Sequence, residues 1–375
     1  LAADVGVTLV RSLLGVASFA FFAALFGLLW CVFAERYGTR WFGVIAAFVM
    51  TVSLFMLSRQ DRLAEFYGFY FLFGAFVNAM VSSPLFANVG FWFRKNPGLA
   101  LGITAAGVAF GQGLIPFLTG IGIVEYGWRA TYSITAAVYL VIALPIAFFI
   151  RESPWRLKTR HSTTVEERQF PLSEVEAIAW ISVAVVFCCN CMSVPIVHLV
   201  PLLTDQGSTV ESATSVLMVL MFAGVVGRVL GGRLGDLIGA LPTYMLMSVG
   251  QTFFVFWFPH VDSPFALYAL AICFGFTYSG VMSSILVCTR MMVSARFGAR
   301  AMSMTSFFGW GGMGLGGFIG GYLYDLNGSY FWSYTFASLM GVTNLLILGL
   351  FALRIRSRQK AMIASASSSR AAATL

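Results

Sequence analysis

The sequence predicts an all-α membrane protein made of two helical bundles that repeat one another in parallel. Three observations support this fold class: long apolar runs, an uneven distribution of basic residues and an internal repeat. Of the 375 residues, 59% are hydrophobic and 10% are charged, and the mean hydropathy is +0.86. Because about a quarter of the residues of a soluble domain are charged, we expect the lipid bilayer, rather than a soluble core, to hold this apolar surface.

Eleven apolar runs are long enough to be transmembrane helices, which need about 20 residues each. The predicted spans are 11–33, 41–58, 64–86, 98–122, 129–150, 177–201, 212–231, 239–258, 265–289, 300–323 and 329–353. The polar segment 151–176 splits the chain, and a basic, Ser/Ala-rich tail ends it. We therefore predict a bundle at 1–150, a linker at 151–176, a second bundle at 177–354 and a disordered tail at 355–375.

The basic residues give the orientation, because lysine and arginine accumulate on the cytoplasmic side of a membrane protein. Of the 23 lysines and arginines, only Arg11, Arg59, Arg62 and Arg129 fall on one side of the membrane. The others lie on the opposite side, together with the linker and the tail. We expect a multi-pass protein of the cell membrane with a cytoplasmic linker and C-terminus. The net charge of +8 then reflects topology and does not indicate a nucleic-acid partner.

An offset of 201 residues relates the two halves. The matched pairs are Asp4 with Asp205, Gly6 with Gly207, Thr8 with Thr209, Glu35 with Asp236, Gly38 with Gly239, Gly111 with Gly312, Gly113 with Gly314, and Gly127 with Gly328. Both halves keep one orientation, so the repeat is parallel, about an axis along the membrane normal. The run at 177–201 lacks a counterpart, so we expect six plus six helices with the first absent from this sequence. A true eleven-helix protein is the alternative.

This organisation resembles the major facilitator superfamily, whose loop pattern is G-x-x-x-D-R-x-G-x-R. In the first half the pattern is met by Glu35, Arg36, Gly38 and Arg40, with Glu in place of Asp and Cys31 in place of the first glycine. In the second half it is met by Gly232, Asp236 and Gly239, with Leu237 in place of the arginine. The resemblance implies that these turn residues are structural and gating, and that Glu35 and Asp236 hold the cytoplasmic side closed through charge and helix-terminus contacts.

A narrower resemblance is to the monocarboxylate-porter and oxalate/formate-antiporter branch. It rests on the segments 91–103, 127–129, 197–205 and 320–330. The resemblance implies transport of an organic anion, with the arginine of the eighth helix of the family, here Arg228, paired with the substrate carboxylate. Two departures are that Gly224 replaces an acid of the animal carriers, and that Ser303–Leu323 lacks the lysine of the oxalate carrier.

The residues around Arg228 support the same prediction. An arginine inside a membrane span is costly and marks a functional site by default. Ala223, Gly227, Gly231 and Gly235 recur every fourth residue, which predicts a face where another helix approaches closely. Arg228 points about 100° away from that face. A guanidinium suits a carboxylate because it donates two parallel hydrogen bonds; snorkelling to the cytoplasm is the structural alternative.

Other polar residues fall within the predicted spans. Asn78, Gln112, Asn190 and Tyr278 sit mid-span, where polar groups face a cavity or another helix. The resemblance implies cavity-lining helices for Asn78, Asn190 and Tyr278, which we predict to bind substrate, with interhelical hydrogen bonding as the alternative. His198 is the visible candidate for a titratable group, and we predict that it also binds substrate; a packed or interfacial histidine is its alternative.

The sequence therefore predicts a secondary transporter of a small organic anion, a monocarboxylate, that works by alternating access as a symporter or an antiporter. Its predicted partners are the bilayer, the anion, and protons or a counter-anion. The six cysteines form no evident disulfide framework or metal site, and we expect neither cofactor nor enzymatic chemistry. The alternatives are a drug or metabolite exporter of the same fold and a non-transporting receptor or scaffold.

Overall fold

The computed structural model describes residues 9–93, 95–154, 170–294 and 297–373. The part of the chain that it describes is helical, without strands. The α-helices are α1 (Leu9–Tyr37), α2 (Arg40–Leu57), α3 (Leu63–Leu72), α4 (Phe86–Trp92), α5 (Pro97–Phe148), α6 (Glu174–Asp205), α7 (Val210–Ile238), α8 (Ala240–Val255), α9 (Pro264–Met291), α10 (Gly298–Asn327) and α11 (Phe331–Ala373). A short 3₁₀ helix, Phe258–His260, precedes α9.

These helices confirm the eleven predicted spans, although three of the spans are not single, separate α-helices. The third span combines α3 and α4 with two π-helical segments, Phe73–Asn78 and Val81–Leu85, and the second contains Pro84. Proline has no N–H to donate along a helix, so the hydrogen-bond register changes there. The fourth and fifth spans together form α5, which breaks at Gly127 with φ of 76°.

Length and composition suit a bilayer. Six of the helices within the described residues are each long and apolar enough to cross one: α2, α5, α6, α7, α9 and Phe331–Ile363 of α11. Local signals fix where some of them begin. Ser173 Oγ accepts a hydrogen bond from the Glu176 amide at 3.1 Å, which caps α6, and Thr209 caps α7 in the same way through Ser212.

The backbone confirms the predicted repeat. Gly38 and Gly239 have φ of 86° and 96°, and Gly127 and Gly328 have φ of 76° and 63°. Each pair is separated by the offset found in the sequence, and each ends equivalent helices in the two halves. A left-handed turn without a steric penalty requires glycine, so the same turn chemistry occurs twice. The N-terminal half comprises α1–α5, and the C-terminal half comprises α6–α11.

The structure of the linker and of the tail differs from the prediction. Residues 155–169 of the linker lie outside the described part, and α6 begins at Glu174, within the predicted linker. The helix α11 continues through the region predicted as disordered and reaches Ala373. Its alanines and basic residues are strong helix formers, so a polar composition does not by itself exclude a helix. The domain boundaries stay predictions.

The halves meet mainly along two helix pairs. The first is α5 with α7. The second is α1 with α10, where Cys31 Sγ lies 2.9 Å from the Ala299 carbonyl oxygen and Ser303 Oγ donates to the Gly27 carbonyl at 3.0 Å. We call the end of the molecule that carries the turns at Gly38 and Gly239 the charged-turn end; it is the end predicted to be cytoplasmic.

Candidate functional site

Arg228 lies on α7, where α7 contacts both α5 and α9, and its side chain is only 3% exposed. The glycines beside it determine this position. A Cβ at Gly231 would stand 2.8 Å from the Cα of Gly280 on α9, and Gly227 is in equally close contact with the α9 backbone. The predicted close approach along this face is confirmed, and α9 is the helix that makes it.

The opposite helix, α5, packs just as closely on the backbone of α7. A Cβ at Gly102 would lie 2.5 Å from the carbonyl oxygen of Arg228, and Gly98 and Gly232 are also in close backbone contact. Any larger side chain at these glycines would push the halves apart. Because the backbones are so close, the Arg228 side chain enters the junction of the two halves directly.

The guanidinium of Arg228 donates three hydrogen bonds. Its Nη1 donates to the carbonyl oxygen of Ala105 at 2.7 Å. Its Nη2 donates to Gln112 Oε1 at 3.3 Å and to the Tyr278 hydroxyl at 3.4 Å. Ala105 and Gln112 belong to α5 of the N-terminal half, whereas Tyr278 belongs to α9 of the C-terminal half. One buried cation therefore links both halves.

No counter-ion of Arg228 lies within the described part of the chain. Among the residues that the structure describes, its partners are all neutral, and its Nε is buried without an acceptor. The two bonds of Nη2 are longer than the usual 2.7–3.2 Å range for N–H···O bonds. A buried, uncompensated charge costs several kcal/mol, so an anion that enters this junction would be attracted to Arg228.

Tyr278 and Gln112 approach the guanidinium from opposite sides. Tyr278 is 2% exposed, stacks on Phe274 with ring centroids 5.8 Å apart, and has its hydroxyl 4.0 Å from Met221 Sδ. Gln112 is exposed. The structure therefore brings together two residues considered in the sequence analysis, of which only Tyr278 was predicted to bind substrate. Gln112 follows Ala105 by seven residues, about two helical turns, so both lie on the same face of α5. This spacing is the sequence signal that could have identified Gln112 as a contact of Arg228.

The other predicted substrate-binding residues lie elsewhere. Asn78 ends a π-helical segment, and its buried Nδ2 has no hydrogen-bond partner. Asn190 Nδ2 donates at 2.8 Å to the Val186 carbonyl of its own helix. The described contacts do not join either residue to Arg228, and their substrate-binding roles stay predictions.

His198 belongs to the interface between α6 and α10. Its Nε2 lies 2.8 Å from the Gly317 carbonyl oxygen, and a Cβ at Gly320 would stand 3.0 Å from its ring. Tyr330 packs on the ring at 5.7 Å. The contacts of His198 are those of a packed histidine, and its substrate role also stays a prediction.

Asp236 caps a helix of the opposite half. Its Oδ1 and Oδ2 accept hydrogen bonds from the amides of Gly98 and Leu99 at 2.9 and 2.8 Å. These amides begin α5, where the helix dipole favours negative charge. Arg233 adds a weaker bond, at 3.4 Å, to Asn96. The contact has the form predicted for Asp236, and gating itself stays a prediction.

The matching turn of the first half is only partly described. The side chain of Glu35 lies outside the described residues. Arg36 is exposed, and the Arg40 guanidinium carbon stands 5.6 Å from the centre of the Trp41 ring. Gly38 has the left-handed backbone that the turn requires, as does Gly239 in the second half. The arginines thus lie at the surface of the charged-turn end.

The described part of the chain contains no group of three His, Cys, Asp or Glu side chains placed to hold a metal ion. Cys188, Cys189 and Cys191 are buried in the hydrophobic core of the C-terminal half. They lie among the apolar side chains of this core.

Comparisons with known proteins agree with this architecture. The chain is 25% identical over 307 residues to an MFS-type transporter of Gibberella moniliformis, covering 80% of this chain and 71% of the relative. It is 28% identical over 130 residues to the riboflavin transporter RibJ of Trypanosoma cruzi, covering 34% of this chain and 28% of that protein. It is 26% identical over 270 residues to monocarboxylate transporter 13 of Bos taurus, covering 69% and 61%.

A solved structure shows the same fold. The E. coli fucose:proton symporter FucP superposes with a TM-score of 0.68 at 13% identity, over 90% of each chain. The sequence model of the Major Facilitator Superfamily matches residues 1–285 and, again, residues 179–374. The two overlapping matches cover both halves of the repeat. The chain belongs to the Major Facilitator Superfamily, a family of membrane transporters.

Proposed function

We propose that this transporter carries a small organic anion, a monocarboxylate, and that Arg228 binds its carboxylate. The observation that carries the proposal is the buried guanidinium of Arg228, which has neutral partners and an unused Nε. The similarity to a monocarboxylate transporter supports the substrate class.

The hydrogen bonds of Arg228 suit exchange for a substrate. A carboxylate accepts two parallel bonds from a guanidinium, and such charge-assisted bonds are about twice as strong as neutral ones. The Nη2 bonds to Gln112 and Tyr278 are long, at 3.3 and 3.4 Å. An entering carboxylate would replace these two partners and use Nε, which has no acceptor. The bond to the Ala105 carbonyl, at 2.7 Å, would hold the guanidinium in place.

The same geometry suggests how substrate binding is coupled to movement. Arg228 bonds to Gln112 on α5 in one half and to Tyr278 on α9 in the other, so a carboxylate that replaces these partners changes contacts on both sides of the junction. In alternating access, two halves rock about a site near the membrane midplane. A substrate shifts this equilibrium only if it binds the two states with different affinity, and a cation that bridges the halves provides that difference.

Uptake by proteoliposomes tests the proposal. We expect the wild-type protein to take up radiolabelled acetate, pyruvate or lactate, Arg228→Ala to abolish uptake, and Arg228→Lys to lower it by about tenfold or more, because an ammonium lacks the planar fork. Arg129→Lys is the matched control, since Arg129 is half-exposed and pairs with Asp61 at 2.7 Å. Wild-type uptake by Arg228→Ala would contradict the assignment.

The runner-up is an exporter of a drug or metabolite, in which Arg228 is a structural link between the halves. Its three bonds to protein acceptors favour this reading, and the riboflavin transporter RibJ is among the relatives. Riboflavin transport without acetate, pyruvate or lactate transport would support it. A receptor or scaffold would transport none of them.

Coupling is tested in the same vesicles. A carrier that symports protons accumulates the anion when the outside is acidic, whereas an anion exchanger requires a counter-anion inside. We expect one of these two gradients to drive uptake by the wild-type protein. Each experiment uses the full chain, and each gradient is imposed in both directions across the vesicle membrane.

A further inference from the structure

A cavity of about 760 Å³ lies far from Arg228, at the charged-turn end of the C-terminal half. It is an open cavity bordered by the first turn of α8, the last turn of α9 and the part of α11 around residue 352. Its lining is almost entirely apolar and includes Met245, Met291, Gly349, Leu353, Arg356 and Gln359. A volume of this size is typical of ligand pockets.

Gly349 contributes open space to this cavity. No heavy atom lies within 4 Å of the position that its Cβ would occupy. A glycine inside a helix costs about 1 kcal/mol relative to alanine, and close packing does not require one here, in contrast to Gly231 on α7. A larger side chain at Gly349 would fill the cavity without displacing a neighbour.

The cavity is continuous with the membrane-facing surface of α11. Leu346, Leu350 and Leu353 lie on one face of the helix, and they are 64%, 55% and 61% exposed. Three leucines so exposed on a membrane helix face acyl chains. Leu353, the last of them, also lines the cavity, so an acyl chain that follows this face reaches the cavity without leaving an apolar environment.

The guanidinium of Arg356 stands at the polar edge of the cavity. Arg356 is exposed one turn beyond Leu353, and the amide of Gln359 lies beside it. Arg354, two residues earlier, donates to Glu176 at 3.0 Å. Among the described residues Arg356 has no acidic partner of this kind. The edge therefore offers a positive charge and an amide donor above an apolar volume.

We propose that this cavity binds an anionic phospholipid, with an acyl chain in the apolar volume and the phosphate group at Arg356 and Gln359. The apolar lining requires a hydrocarbon chain, which a soluble phosphate lacks, and the opening toward Leu350 connects the cavity to the bilayer. Basic pockets between membrane helices on the cytoplasmic side bind such head groups, with each basic residue contributing about fivefold in affinity.

Native mass spectrometry of the purified full-length protein tests the site. Phosphatidylglycerol and phosphatidylcholine of matched acyl chains are added, and the bound fractions are compared. We expect preferential binding of phosphatidylglycerol by the wild type, loss of about fivefold of that preference in Arg356→Gln, and reduced binding of both lipids in Gly349→Leu.

Two matched controls separate the site from general effects. Arg358→Gln removes an exposed charge from the same helix but outside the cavity, and Gly68→Leu places the same side chain at an open helical glycine of the other half. Both should bind lipid as the wild type does. Equal loss in Arg356→Gln and Arg358→Gln, unchanged binding in Gly349→Leu, absence of lipid preference in the wild type, or displacement by inorganic phosphate would each overturn the proposal.

Discussion

At the scale of single residues, Gln112 presents the acceptor that a substrate carboxylate would replace. Its Oε1 accepts from Arg228 Nη2 at 3.3 Å, while its own side chain is exposed. An anion that approaches the exposed face of Gln112 meets this amide before it meets the buried guanidinium. In our interpretation, the neutral amide oxygen of Gln112 accepts the Arg228 hydrogen bond that the substrate carboxylate accepts when it binds.

Replacing this neutral acceptor by a charged one gives a sharp prediction. We expect Gln112→Glu to raise the KM for acetate or pyruvate on the order of tenfold, because a fixed carboxylate would pair with Arg228 and compete with the substrate. Gln206→Glu, at the exposed end of α6, makes the same change away from Arg228 and should leave the KM unchanged. Measured uptake kinetics in which both variants behave alike would argue against the competition.

The position of a residue within its own helix does not determine which residues of other helices it contacts. Arg228 and Tyr278 could be selected from sequence because both are polar groups inside apolar helices. Gln112 has the same property, but its role depends on which helix lies opposite α5. The carbonyl of Ala105 carries no side-chain signal. His198 faces the glycines of α10, and the sequence does not specify that pairing.

At the scale of elements, close glycine contacts fix the distance between α7 and its two neighbours. Gly231 and Gly227 face α9, whereas Gly232 faces α5. The fourth-residue spacing predicted one close face, and the structure shows two. Since the backbones are already in contact, these positions have no room for a side chain.

Gly231→Val should therefore destabilise the protein. A Cβ at this position would stand 2.7 Å from Ser283 Oγ, and overpacking of this kind costs about 1–3 kcal/mol. Thermal unfolding in detergent should show a lower midpoint for this variant. Gly68→Val, at an open helical glycine, provides the comparison, and an equal decrease in both variants would show that helix propensity, rather than packing, is responsible.

The contact of Asp236 with the start of α5 is a second feature at this scale. We expect Asp236→Asn to weaken closure of the charged-turn end, because the negative charge at the start of α5 and one of the two acceptor oxygens are lost, and a favourable charge at a helix N-terminus contributes about 0.3–1 kcal/mol. The measurement is the reaction of a membrane-impermeant maleimide with a cysteine placed at Leu99, in a background with the six native cysteines replaced by alanine.

The labelling rate should increase in Asp236→Asn and stay constant in Asp262→Asn. Asp262 lies in the connection before α9 and is exposed. An unchanged rate in Asp236→Asn would mean that the closely packed glycines hold this end closed without help from the carboxylate.

At the scale of the whole molecule, the halves must separate along α5 and α7 if the protein works by alternating access. The rings of Phe110 and Phe222 lie 5.9 Å apart across this junction. We expect a bifunctional, reducible thiol cross-linker that joins cysteines at these two positions, in the cysteine-free background, to stop uptake, and reduction to restore it.

The control is a cross-link inside one half. Phe22 and Phe71, on α1 and α3, have ring centroids 4.7 Å apart, and the same cross-linker between cysteines there should leave uptake intact because the half moves as a unit. Full uptake with the junction cross-linked would contradict rocking of the two halves.

The sequence alone determined the membrane character, the eleven helices and the parallel repeat, because these follow from apolar run length, charge distribution and turn glycines. It also selected Arg228, since a charge within an apolar run needs no neighbour to be conspicuous. Only the tertiary structure decided which side chains surround that charge. The partners of Arg228 lie 50 and more than 100 residues away along the chain, and helix rotation and pairing, which bring them together, depend on packing rather than on local sequence.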